Sequence, residues 1–100
     1  MWYIAESKVH GNGVHASINI PKGTKVAAVA TPNKWGYWSM TEFGSSVNHQ
    51  KKGNCELRKE PDNSFWLYTT RDINKGVEFV SDYSQAPFPF NGSIQGFKEL

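Results

Sequence analysis

Cysteine is almost missing from this 100-residue chain, where Cys55 stands alone. That excludes an intramolecular disulfide and a cysteine-rich zinc cluster, and it suits a reducing compartment. Cys55 itself reads more simply as a small buried residue than as a catalytic thiol. Long hydrophobic runs are also missing. The longest, Val26 to Ala30, is far short of a membrane span, and the N-terminal MWYIAESK lacks the basic and apolar regions of a signal peptide. A soluble, intracellular protein without membrane association is expected. Charge of one sign is scarce too: the net charge is +2, and Lys51-Lys52 is the nearest thing to a basic run. Direct binding to nucleic acid is therefore not expected. His10, His15 and His49 lack zinc-ligand spacing, and no paired-carboxylate or Ser-His-Asp arrangement is visible, so no metal site is expected.

The chain does carry enough apolar mass to pack. Hydrophobic residues make up 38% and aromatics 14%, with four Trp among them. This is the size of a single domain, residues 1–100, burying roughly 60% of its unfolded surface. Helix signals are few. Segments 2–5, 15–20, 24–30, 54–59, 65–71 and 77–80 read as short strands between Gly, Pro, Asn and Asp punctuation. A single helical turn is expected around Ser39 to Phe43, with Ser39 as N-cap and Glu42 three residues later. The tail from Ala86 to Gly92 carries Pro87 and Pro89 and cannot form a regular helix.

Two stretches echo each other. ASINIPKGTKV at 16–26 and TTRDINKGVEF at 69–79 each place an Ile three residues before a Gly. Each reads as a strand, a tight turn in which Gly takes φ > 0, and a returning strand. A mostly β chain with two similar turns follows. The same reading disposes of a tempting motif. HGNGVHA at 10–16 fits the dinucleotide fingerprint G-x-G-x-x-A, but that loop must lead into a helix. Here it leads into ASINIPKG, whose β-branched residues and early proline oppose one.

Three segments then stand in order: HGNGVHA at 10–16, VNHQKKGNCEL at 47–57 and TTRDINKGVEFVSDY at 69–83. With Asn48-His49, Asn54-Cys55, the Lys75-Gly76 turn and Asp82-Tyr83 in that order, the chain resembles the SET domain of protein-lysine methyltransferases over roughly residues 8–84. The resemblance implies a mostly β, β-clip fold: short strands in several small sheets, little helix and a knot-like C-terminal threading. Residues 85–100 would form a tail closing the site. It also implies an S-adenosyl-L-methionine-dependent protein-lysine N-methyltransferase acting on a protein substrate, histones being the family's commonest association. By the same resemblance, His10, Gly11, Asn12 and Gly13 would approach the methionine end of the cofactor. Asn48 and His49 would hold it from the other side, and Tyr37 would serve as a lesser pocket wall.

Tyr83 would be the catalytic residue, orienting a neutral lysine amine and not acting as a general base. Deprotonating free lysine at pH 7 costs on the order of 4–5 kcal/mol, and an apolar channel beside a sulfonium lowers that cost. Ser81, Phe79, Phe88 and Phe90 would line the substrate channel, with small Ser81 leaving room for higher methylation states. The chain departs from the family pattern at Gln50-Lys51, where Ser-Cys is usual, at Gly53 for Pro, and at Ser45-Ser46 for Arg-Phe. His15 replaces a common Phe. The segment at about 30–46 is short, and a homodimer could complete so small a core. Two other readings stay open: a SET-like module that binds cofactor or peptide without turnover, and a β-clip domain of the antifreeze or carbohydrate-enzyme appendage type. The last shares the I-x-K-G-T turn at 20–24.

Overall fold

The computed structural model describes residues 1–87. Its first layer is an antiparallel pair, β1 (Trp2–Glu6) and β2 (Asn12–Ala16), in register from Trp2 opposite Ala16 to Glu6 opposite Asn12. The glycine stretch is thus half turn and half strand. Ser7 N–H donates to Gly11 C=O at 2.8 Å, and Gly11 takes φ +49°, closing the turn before β2 begins. The strand expected at 15–20 starts earlier and ends at Ala16, because the backbone beyond it is committed to the turn described below.

The second layer is a six-stranded sheet. It is built from β3 (Lys25–Pro32), β4 (Trp38–Met40), β5 (Asn48–His49), β6 (Cys55–Lys59), β7 (Phe65–Thr69) and β8 (Val80–Ser81), ordered β4-β3-β7-β6-β8-β5. In β7 the alternation is regular: Phe65, Leu67 and Thr69 point inward while Trp66 and Tyr68 are only half-buried. β3 breaks that period. Register shifts between Lys25 and Ala27 and between Ala28 and Ala30 bring Val26, Val29 and Ala30 all into the interior. The main core joins Val14, Ile20, Val29, Phe43, Val47, Leu67, Ile73 and Phe79. Phe43 sits edge-on to Trp2 at 5.0 Å and 6.2 Å from Phe79.

The one α-helix among the described residues, α1 (Glu42–Ser46), is capped by Thr41 and not by Ser39. Thr41 Oγ1 accepts from Gly44 N–H at 2.9 Å and donates to Ala28 C=O at 2.6 Å, so the cap also fastens α1 to β3. Ser39 is spent on pairing with Thr31 in β4. At Gly44 the helix lies directly on β3: an added Cβ would stand 2.1 Å from the Val29 carbonyl oxygen.

The two echoed turns pair with each other about a local quasi-twofold axis. Ile20 and Ile73 exchange N–H···O=C bonds, both 2.8 Å. Gly23 N–H donates to Thr69 C=O at 2.9 Å and Gly76 N–H to Ala16 C=O at 2.7 Å. Lys22 N–H donates to Asp72 Oδ1 and Lys75 N–H to Asn19 Oδ1, each at 2.8 Å. Gly23 (φ +82°) and Gly76 (φ +90°) supply the left-handed positions. The repeat is therefore one interlocked device. It leaves 77–79 of the strand expected at 77–80 as bridging chain, with Glu78 opposite His15, before β8 begins. No helix among the described residues is long and apolar enough to cross a membrane.

Candidate active site

β8 is the organising element. It lies between β5 and β6, parallel to both, with Asn48 opposite Val80, His49 opposite Ser81 and Cys55 opposite Ser81. The chain from 49 to 55 consequently loops over the C-terminal strand, a threading rare among proteins. Asn54 secures it. Its Oδ1 accepts from Val80 N–H at 2.9 Å, its Nδ2 donates to Glu78 C=O at 2.8 Å, and its own N–H donates to Val80 C=O at 3.0 Å. Gly53 allows the crossing, because a Cβ there would stand 2.6 Å from the Val80 carbonyl oxygen.

Beyond β8 the chain makes a 3₁₀ turn, Tyr83–Gln85, capped by Asp82. Hydrogen bonds from the Ser84 hydroxyl and N–H hold the Asp82 carboxyl below its usual range. Tyr83 N–H donates to His49 Nδ1 at 2.9 Å, and His49 is buried with its ring 5.0 Å from that of Tyr83. The Tyr83 hydroxyl donates to Val47 C=O at the end of α1. Burial pushes that hydroxyl up to about 12, so it remains a neutral donor at physiological pH.

Tyr83 faces a small, partly open apolar pocket of about 20 Å³, walled by Val29, Met40, Gly44, Val47, Leu57, Leu67, Ser81 and Ala86. Ser81 and Leu57 are shared with a larger, more polar depression of about 280 Å³ that includes Lys52, Cys55, Thr70, Asp82 and Gln85. Burial likewise raises the Cys55 thiol to about 12, far from a reactive thiolate.

On the other side of β5, Asn48 reaches the glycine turn. Its Nδ2 lies within hydrogen-bonding distance of Glu78 Oε2 (2.9 Å), His10 C=O (3.0 Å), Ser7 Oγ (3.1 Å) and Asn12 C=O (3.2 Å). Ser7 Oγ donates to the Glu78 carboxylate, 2.7 Å from Oε1.

A family model for the SET domain matches residues 28–84. The chain belongs to the SET-domain family. Among solved structures it is similar to a Plasmodium falciparum protein described as a candidate histone methyltransferase. The TM-score is 0.68 at 20% identity, over 85% of this chain and 94% of that one, which is a likeness of fold. No curated protein matches by sequence.

Within this SET domain, the loop residues His10, Gly11, Asn12 and Gly13 come together with Asn48, and His49 comes together with Tyr83. Ser81 lines the pocket that Tyr83 faces. Other expectations need correction. Tyr37 stands on the turn between β3 and β4, 71% exposed, with its backbone tied to Asn33, and it lines neither of these two cavities. Phe79 is fully buried, packed against Phe43 in the core, and lines neither cavity, so it is not a channel wall. Phe88 and Phe90 lie outside the described residues.

The glycines also have other reasons than expected. Gly13 makes room for the Glu78 carboxylate, whose Oε2 would be 2.3 Å from an added Cβ, and Gly11 supplies a positive φ. Sequence reasoning missed Ser7, Glu78, and the pocket walls Val29, Gly44 and Leu57. The echo of 16–26 with 69–79 was the available signal for Glu78, since pairing the two copies sets it opposite His15.

Proposed function

We propose that this SET domain is an S-adenosyl-L-methionine-dependent protein-lysine N-methyltransferase, with Tyr83 as its catalytic residue and a lysine side chain of a protein as its substrate. The single observation that carries the reading is the Tyr83 hydroxyl, fixed by Val47 C=O, at an apolar pocket beside the Asn48-His49 segment.

The residues present fit the cofactor. An amide nitrogen has two hydrogens to give. Four acceptors surround Asn48 Nδ2 within 3.2 Å, so acceptor capacity is left over at the exposed carbonyls of His10 and Asn12. Surplus acceptors suit the ammonium of an amino-acid moiety. Those carbonyls and Asn48 would hold that end, and His49, through Tyr83, would set the opposite wall. Bound there, S-adenosylmethionine supplies an electrophilic sulfonium methyl group.

The chain's own contribution is to the amine. A lysine stem of four methylenes suits the apolar walls Val29, Met40, Leu57 and Leu67, and exclusion of water favours its neutral form. Tyr83, uncharged and anchored, orients the nitrogen lone pair; its raised affinity for its proton argues against a general-base role. Ser81 leaves space at the pocket where a bulkier side chain would restrict the methylated amine, so di- or trimethylated product is expected.

Calorimetric titration with S-adenosylmethionine, followed by labelled methyl transfer to histones and other proteins, tests this reading. Binding with transfer supports it. Binding without transfer across a broad protein panel supports a non-catalytic module instead, and no binding overturns both.

A further inference from the structure

Glu78 is a half-buried carboxylate with no ion-pair partner among the described residues. Its oxygens receive the Ser7 hydroxyl at 2.7 and 2.9 Å and the Asn48 amide at 2.9 Å. It also packs directly under Gly13, the residue whose missing side chain makes room for it. A carboxylate withdrawn from water without a cation is costly unless hydrogen bonds satisfy it, and those that Glu78 receives do so while serving a further purpose.

That purpose is legible in the Asn48 amide. Each of its near neighbours is an acceptor: two carbonyls, a carboxylate, and a hydroxyl whose proton is already given to Glu78. Ser7 Oγ is further committed by accepting from Val9 N–H at 2.9 Å and His10 N–H at 3.2 Å. With acceptors on that side, the amide has one allowed orientation, nitrogen inward and Oδ1 outward. The charged neighbour enforces it most strongly, since the repulsion between a carboxylate and a carbonyl oxygen opposes the flipped amide.

We propose that Glu78 is the positioning residue of the amino-acid subsite: through Asn48 it holds Oδ1 outward beside the His10 and Asn12 carbonyls and makes this rim selective for a ligand ammonium. The inference rests on the cofactor reading above and deepens it. Glu78 does not touch the ligand. It sets the polarity of the group that does, and its uncompensated charge favours a cation at the rim.

The test is calorimetry with two probes, S-adenosylmethionine and its analogue lacking the α-amine. The unaltered protein should prefer the amine-bearing probe by roughly tenfold or more, the scale of a hydrogen bond to a charged group. Glu78→Gln should lose most of that preference while binding the amine-free analogue within about twofold of the unaltered protein. A purely structural role would weaken both probes together, and that result overturns the inference, as does an unchanged preference. Should Glu78→Gln fail to fold, the unaltered protein still decides: equal affinity for the two probes means no ammonium-selective rim. Absence of any binding by the unaltered protein overturns the cofactor reading, whereas binding with an indifferent Glu78 overturns this inference alone.

Discussion

The backbone N–H of Tyr83, at the turn just beyond β8, donates to the side-chain Nδ1 of His49 on the neighbouring parallel strand β5 at 2.9 Å. The bond needs a bare Nδ1, which assigns the tautomer protonated at Nε2. It makes a buried histidine the anchor of the residue that faces the pocket, so chemistry at Tyr83 depends on a side chain of the threaded crossing.

His49→Ala should cost about 2–4 kcal/mol, combining a cavity with an unsatisfied N–H at Tyr83. His49→Phe, which refills most of the volume without an acceptor, should still cost about 1–3 kcal/mol. Urea denaturation of both variants separates the two contributions. Full recovery in the Phe variant would mean that the hydrogen bond contributes nothing.

Two glycines should behave differently when given a methyl group. Gly11→Ala meets open space and bears only its φ of +49°, so a loss of about 1 kcal/mol is expected. Gly53→Ala would push against the Val80 carbonyl, 2.6 Å away in the strand beneath the crossing. It should lose about 3 kcal/mol or more, or fail to thread. Equal melting temperatures for the two variants would contradict the described crossing.

Stability should fall on the alkaline side. Burial raises the Cys55 thiol from 9.0 to about 12 and the Tyr83 hydroxyl from 10.0 to about 12. The unfolded chain releases these protons first, so above about pH 9 the folded state binds more protons and stability declines with rising pH until about 12. Below pH 9 neither group contributes a slope. Cys55→Ala and Tyr83→Phe should each flatten part of the decline in denaturation curves taken between pH 8 and 11; parallel curves for all three proteins would exclude both groups as its source.

What the sequence could reveal divides by physical kind. Asn48, His49, Tyr83 and the glycine turn were legible because a motif order named them, and the echoed Ile-x-x-Gly turns were legible because a turn requires particular residues. Their mutual pairing was not, since Asn19 with Lys75 and Asp72 with Lys22 are contacts between distant segments. Glu78 stayed hidden for the same reason: Ser7 lies 71 positions away, and the pairing of Glu78 with His15 beside the β1–β2 hairpin brings them together. Tyr37 was misplaced because an aromatic residue reads alike on a wall and on an exposed hairpin turn. Thr41 outcompeted Ser39 as helix cap through a second bond, to Ala28 on β3, that local sequence does not encode.

The most direct measurement of the central claim is single-turnover methyl transfer by Tyr83→Phe, run beside calorimetric titration of the same protein with S-adenosylmethionine. Losing one oriented hydroxyl, whose oxygen accepts an amine N–H at the reacting centre, should slow transfer by roughly 10²-fold or more, on the scale of other positioned hydrogen-bonding groups. Cofactor affinity should stay within about threefold, because the Tyr83 hydroxyl is spent on Val47 C=O and lies across β5 from the glycine turn. Transfer at the unaltered rate, or a rate lost only in proportion to cofactor affinity, would contradict the assignment of Tyr83 as the catalytic residue.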